Sequence, residues 1–335
     1  MTTTPMVVAG INFGDAAFAA TVQDRVVRIE QLMDAELRDT DEVMTESVLH
    51  LFAAGGKRFR PLFTVLSAQI GPRPDAPEVI IAGAVIELVH LASLYHDDVM
   101  DEAEVRRGAP SANLRWSNSV AILAGDYLFA TASRLVSQLG LDAVRIIADT
   151  FAQLVTGQMR ETRGVPEGAD SIEQYLKVVY EKTGCLIGSA GRLGGLFAGA
   201  HAEQVERLSR LGSIVGTAFQ ISDDIIDIDS DYTKSGKLPG TDVREGVRTL
   251  PILYALRETG PDSERLRALL AGPVDNDAEV VEALALLRAS PGMARARQVL
   301  AHYADQASGE LAQLPDGPSR DALATLVDYT TNRHG

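Results

Sequence analysis

Two acidic clusters carry the strongest chemical signal in this chain: Asp97-Asp98-Val99-Met100-Asp101 and Asp223-Asp224-Ile225-Ile226-Asp227. Both read DDxxD, and they start 126 residues apart. Each closes an apolar segment of helical period, Leu88 to Tyr95 before the first and Ala218 to Ile221 before the second. On a helix, positions i and i+4 share a face and i+1 lies about 100° round. Asp97 therefore points with Asp101 while Asp98 flanks them, and Asp223, Asp227 and Asp224 repeat the pattern. A core-like segment gains nothing from ending in three like charges, which need partners. Oxygen ligands alone suit a hard cation such as Mg²⁺, held by one or two carboxylates, waters and the phosphates of a substrate. One copy is a weak signal, because solvated helix ends often carry acids. Two copies at the ends of apolar helices favour cation-held polyphosphate over a pair of exposed acidic patches.

Four basic groups sit beside glycines: Gly55-Gly56-Lys57-Arg58-Phe59-Arg60-Pro61, Arg106-Arg107-Gly108, Glu181-Lys182-Thr183-Gly184, and Lys237 within Ser235 to Asp242. Arginine offers an anion two parallel donors and lysine a point charge. Taken singly, each group except the Arg106-Arg107 pair is better explained by satisfied helix C-terminal carbonyls. Together with the acidic clusters they read as phosphate capture.

The elements that must position these groups are helical. Apolar residues recur three and four apart through 26–37, 48–54, 79–95, 120–139, 143–155, 208–228, 280–287 and 294–311, with breaks at glycine and proline. No alternating strand pattern stands out. The expectation is an all-α fold, a single-domain bundle of about a dozen helices around a central cavity. Residues 1–20 are expected to be a loosely ordered arm, and 21–335 one helical domain. Cys185 to Ala200 is the longest weakly polar stretch seen. It is too short and polar to span a bilayer, and is read as a helix with a small-residue packing face.

The chain has 335 residues, 46% hydrophobic, with 31 Lys+Arg against 46 Asp+Glu and a formal net charge of −15. That acidity argues against nucleic acid and against an anionic membrane surface. Cys185 is the only cysteine, so a disulfide framework and a cysteine metal site are excluded. Residues 1–20 contain Asp15 but no Lys or Arg, unlike a secretory signal. The expectation is a cytoplasmic protein without a transmembrane segment.

Taken in order, GGKRFRP, LYHDDVMDEAEVRRG, EKTG, FQISDDIIDIDSD and GKLPGTD resemble the motif series of the trans-prenyltransferases, the all-trans polyprenyl diphosphate synthases. The likeness is strong from Leu51 to Pro251, and beyond that only the helical pattern matches. It implies an isoprenoid synthase-like fold, a homodimer, and two or three Mg²⁺ ions per active site. It implies that Lys57, Arg60, His90 and Arg107 bind isopentenyl diphosphate. Asp97, Asp98, Asp101, Asp223, Asp224 and Asp227 would hold an allylic diphosphate through the metal. Arg106, Lys182, Thr183, Gln220 and Lys237 would touch that diphosphate directly. His90 alone reads as a core histidine, and His96 receives no role. Gly246-Val247-Arg248-Thr249-Leu250-Pro251 departs from the family's usual GKxTLP, with Arg248 keeping the charge.

The resemblance implies ionisation of the allylic diphosphate, attack by the double bond of isopentenyl diphosphate, and proton loss to the departing diphosphate. Stepping back from Asp97 along its helix gives Ser93, Val89, Ile86 and Ala82, with Ala92 beside them. None is aromatic, so a growing chain has about 22 Å of helix to slide along. Short-chain members place bulky aromatics there, so the expected product is C30–C50, of the kind used for quinone side chains. The alternatives are a geranylgeranyl or farnesyl diphosphate synthase with its floor on another helix, a terpene cyclase, and a non-catalytic helical partner subunit. Against the last two stands the second intact DDxxD.

Overall fold

The computed structural model describes residues 7–8, 10–230 and 239–332. Lys237 lies outside them. Contacts gather the chain into two compact units interleaved in sequence. The first comprises 1–153, 186–212 and 310–325, and the second 154–185, 213–309 and 326–335.

The first unit opens with α1 (Ala16–Arg38), α2 (Glu42–Ala53), α3 (Phe59–Ala68) and α4 (Pro77–Met100). Asp15 caps α1 by accepting from the N–H groups of Ala17 and Phe18, and Asp41 caps α2 through Val43. Pro77 and Glu78 start α4, where a missing N–H and a negative charge both suit a helix N-terminus. α4 is the axis of this unit. From Ala82 to Val89 every residue is buried, so it is apolar all round except at Glu87. Ile29, Met33, Leu51, Phe63, Leu66, Leu88, Leu91, Tyr95 and Leu128 fill the surrounding core. Each such burial contributes about 1.5–3 kcal/mol relative to exposure. Tyr95 locks α4 to α2: its hydroxyl donates to Ser47 O at 2.5 Å and accepts from Leu51 N at 3.1 Å. The next long helices are α6 (Asn118–Ser137), after the short α5 (Ala112–Arg115), and α7 (Leu141–Arg163). His96 belongs to packing. Its Nε2 lies 3.1 Å from Ile122 O, over Gly125, where a Cβ would come within 2.4 Å of it.

The second unit is built around the C-terminal part of α10 (Ala202–Asp229) with α8 (Ser171–Val179) and the later helices. These are α11 (Thr241–Glu245), α12 (Leu250–Leu256), α13 (Pro261–Leu269), α14 (Asp277–Ala289) and α15 (Pro291–Leu311) up to residue 309, while α16 (Pro318–Thr331) gives 318–325 to the first unit and 326–331 to the second. Ile172, Ile221, Ile225, Ile228, Leu253, Leu287 and Met293 form its core.

The helical expectation holds, with four departures. Two short antiparallel hairpins exist, Val7–Val8 with Ile11–Asn12 and Val105–Arg106 with Ala109–Pro110. Two-residue strands have no alternation for a sequence pattern to reveal. The stretch expected as a loose arm contains the first hairpin, with Val8 and Ile11 buried, and the start of α1. Glu181 to Gly184, read as a helix end, lies in a π-helical turn (Tyr180–Gly184) that runs from α8 directly into α9 (Cys185–Phe197). Finally, Cys185–Ala200 is not the most apolar stretch. By length and composition α4 and α6 are long and apolar enough to cross a membrane, and the apolar window of α4 is 72% buried, as in a core helix.

The small-residue face of α9 packs as expected. A Cβ on Gly191 would meet Leu208 O at 2.3 Å, and one on Gly194 would meet Thr64 O at 2.3 Å. Gly212 on α10 returns the contact, with its missing Cβ 2.3 Å from Ile187 O. Backbone cannot yield as a side chain does, so Gly212→Ala is expected to cost about 1–3 kcal/mol. Urea unfolding followed by circular dichroism reads this as a lowered midpoint at unchanged slope.

Candidate active site

Each unit carries one half of the predicted residue set. In the first unit, α4 ends in the first acidic cluster, with Asp97 and Asp98 in its last turn and Asp101 at the C-cap. A helix C-terminus carries a partial negative charge, and each acid there costs a few tenths to about 1 kcal/mol. The last turn of α4 holds no base. Asp98 is fully buried, and burial pushes its pKa up while the Arg106 guanidinium pulls it back. Arg106 Nε donates to Asp98 Oδ1 at 2.5 Å. Oδ2 of the same carboxylate is buried without a hydrogen-bond partner. Arg106, expected to touch a diphosphate, thus also braces an acid.

Arg107 and Gly108 are the two residues of the hairpin turn, at φ 55° and 75°. A two-residue type I′ turn requires positive φ at both positions. The strained Arg107 is held by its guanidinium, whose Nη1 donates to Leu51 O at 2.9 Å and to Gly55 O. Gly56 admits it, since a Cβ there would sit 3.1 Å from the guanidinium carbon. Lys57 is exposed, and Arg60 is half-buried in the first turn of α3. His90 is half-buried, and burial together with Arg60, Arg107, Arg106 and Arg58 drives its pKa well below the usual value. A neutral imidazole keeps one N–H for an anion without adding charge. Lys57, Arg60, His90, Arg106, Arg107 and the first cluster all belong to this unit. Ala92, Val89, Ile86 and Ala82 are buried at 2% exposure or less, with Ser93 half-buried and its hydroxyl donating to His90 O.

In the second unit, Asp223, Asp224 and Asp227 fall near the C-terminus of α10, again with no base in the last turn. Asp224 is 4% exposed, and burial pushes its pKa up to about 7 despite donors from Tyr175 Oη and from Gln220 Nε2 at 3.0 Å. Gln220, expected on the diphosphate, thus spends a donor on its i+4 neighbour. Asp227 accepts from the N–H groups of Thr241 and Asp242, both at 3.1 Å, and so anchors α11. Lys182 ion-pairs with Glu161, while Arg160 Nε donates to Glu181 at 2.9 Å. Gly157 on α7 leaves room for this turn, as a Cβ would meet that of Glu181 at 2.8 Å. The π-turn carries Lys182 and the half-buried Thr183, and such turns are frequent at functional sites.

Three participants escape sequence reasoning. Tyr175 looks like a core aromatic until Asp224 is seen to accept from it. Asp242 looks like a helix-start acid, yet burial and then Asp227, Asp224, Glu245 and Asp223 raise its pKa to about 8. Arg58 looks like a third phosphate ligand but is 8% exposed, held by Glu30 and by main-chain oxygens.

The donor set is carboxylate oxygen throughout, which fits a hard divalent cation rather than a soft one. The partnerless Asp98 Oδ2 and the acids at negative helix ends fit the same group. Among the described residues, no three His, Cys, Asp or Glu side chains make a closed metal cage. Replacing Tyr175 by Phe is expected to raise the divalent-cation concentration for half-maximal activity about 10-fold. An unchanged requirement would show that Tyr175 merely packs.

The family comparison agrees with this chemistry. Residues 41–287 match the polyprenyl synthetase family. The chain is 76% identical to nonaprenyl diphosphate synthase of Mycobacterium tuberculosis, over 100% of both chains. It is 54% identical to a dimethylallyltranstransferase of the same organism, over 96% of this chain and 98% of that one. It superposes on geranylgeranyl pyrophosphate synthase from Corynebacterium glutamicum, crystallised with calcium and isoprenyl diphosphate, at a TM-score of 0.89 and 50% identity, covering 97% of this chain and 100% of that chain. This chain belongs to the polyprenyl synthetase family, and it is a prenyltransferase of all-α fold.

Proposed function

We propose that this chain condenses isopentenyl diphosphate with an allylic diphosphate to give an all-trans polyprenyl diphosphate of C30–C50 for a quinone side chain. The observation that carries this reading is the pair of acid triplets at the negative ends of apolar helices, each in company with cationic side chains. Similarity over the full length to a nonaprenyl synthase supports the long product. The small side chains at Ala92 and Ser93 support it too.

The family resemblance assigns each acidic cluster to the allylic diphosphate. Two or three Mg²⁺ ions, when bound, neutralise charge that builds on the leaving group. Asp97, Asp98, Asp101, Asp223, Asp224 and Asp227 would hold them. Arg106, Lys182, Thr183, Gln220 and Lys237 steady the phosphate oxygens as the allylic C–O bond breaks. Lys182 exchanges Glu161 for that oxygen, a swap between anions. Lys57, Arg60, His90 and Arg107 orient isopentenyl diphosphate so that its double bond meets the cation. The proton then lost goes to the departing diphosphate. Val89, Ile86 and Ala82 exclude water and accompany the growing chain.

Residues 21–335 are read as a prenyltransferase domain, in the cytoplasm and without a transmembrane segment. A homodimer is supported by large apolar side chains left exposed on α6, Ile122 at 42% and Leu123 at 56%.

Product analysis by mass spectrometry with isopentenyl and farnesyl diphosphates is expected to show chains of C30–C50. A clean C15 or C20 product contradicts this and favours the short-chain alternative. Ser93→Phe or Val89→Phe is expected to shorten the product. Asp97→Ala with Asp98→Ala should lower kcat by about 10²-fold or more, while a non-catalytic subunit would be indifferent.

A further inference from the structure

Glu87 has no task in the chemistry above, yet it is an acid buried in the middle of α4. It lies one turn before His90 and is 2% exposed. A carboxylate so buried is costly unless paired. Its Oε1 lies 3.4 Å from Arg58 Nη1 and 4.0 Å from Arg107 Nη2. Burial pushes its pKa up, against the fields of Arg60, Arg58 and Arg107.

The two arginines beside Glu87 are also tied to one another. Arg58 donates from Nη1 to Gly55 O at 3.3 Å and from Nη2 to Phe52 O at 3.0 Å, and its Nε reaches Glu30 at 2.7 Å. Arg107 donates to the same Gly55 O and to Leu51 O. Both residues have left-handed backbones, φ 50° at Arg58 and 55° at Arg107. Two strained turns, 49 residues apart in sequence, thus share one carbonyl and one carboxylate oxygen. Left-handed residues persist only where surroundings over-determine them.

We infer that Glu87 is a positioning residue for the isopentenyl diphosphate subsite: its carboxylate fixes Arg58 and Arg107 so that Arg60, His90 and Arg107 address one diphosphate. This rests on the function proposed above. It separates Arg58, a strut, from Arg60 and Arg107, which are ligands.

The sign of the effect distinguishes positioning from simple charge balance. Neutralising Glu87 adds net positive charge to an anion site. If the acid were only a counter-charge, Glu87→Gln would tighten isopentenyl diphosphate binding. Positioning predicts weaker binding, because a neutral amide holds the two guanidiniums less firmly than the carboxylate that now lies between them.

The test is steady-state kinetics of the full chain with Glu87→Gln, varying isopentenyl and farnesyl diphosphates separately. The KM for isopentenyl diphosphate is expected to rise about tenfold or more, with that for farnesyl diphosphate within about twofold. The thermal midpoint should stay within about 3 °C of the wild type. Should Glu87→Gln fail to fold, Arg58→Met, which removes the other end of the strut, carries the same prediction. An unchanged or lowered KM for isopentenyl diphosphate, or an equal rise for both substrates, overturns the inference. A wild type that turns over no isopentenyl diphosphate overturns the functional reading, and this inference with it. A working wild type with an unmoved variant overturns the inference alone.

Discussion

The constraint on which everything else hangs is the burial of negative charge at the wrong end of a helix. α4 closes on Asp97, Asp98 and Asp101, and α10 carries Asp223, Asp224 and Asp227 toward its end at Asp229, with no base in either last turn. Two of these acids, Asp98 and Asp224, are at least 96% buried. Folding such groups is tolerable only if cations and donors meet them. The chain supplies part of the answer itself: Arg106 on Asp98, and Tyr175 with Gln220 on Asp224. Burial still pushes the pKa of Asp98, Asp224 and Asp242 up. In the function proposed, a divalent cation that brings phosphate with it would complete the balance.

The cationic side obeys the converse rule. Arginines crowded on a phosphate subsite repel one another, so the fold anchors them to main-chain carbonyls exposed by glycine turns. Gly55 O accepts from both Arg58 and Arg107, and Gly56 leaves the space that Arg107 occupies. One buried acid, Glu87, joins them. In the function proposed, the substrate would meet donors already in place, which lowers the reorganisation needed during the reaction.

How much of this was legible in the sequence depends on range. The DDxxD clusters and the helical class are local patterns, with i and i+4 spacing and apolar periodicity carried within a few turns. GGKRFRP advertises a turn through its glycines and proline. Arg58 shows the limit: its type and place suggest a phosphate ligand, and only burial beside Glu30 and Glu87, 28 and 29 residues away, reveals a strut. Tyr175 becomes a partner of Asp224 across 49 residues, a distance no periodicity encodes. The EKTG segment deceived for a different reason. A glycine after a lysine signals a helix end, but close packing on Gly157 and of Gly184 against α10 lets the helix run on through a π-turn. Lys237 stays a reading of the motif alone.

The central claim is that the acid clusters bind a diphosphate only in company with a divalent ion. Calorimetric unfolding of the wild type tests it with Mg²⁺ alone, inorganic pyrophosphate alone, and both together. Ligand bound at about 100 times its Kd stabilises by about 2.7 kcal/mol. The account predicts a clear rise in the thermal midpoint with both, well above the sum of the separate effects. Equal shifts with pyrophosphate whether or not Mg²⁺ is present, or no shift with both, would contradict it.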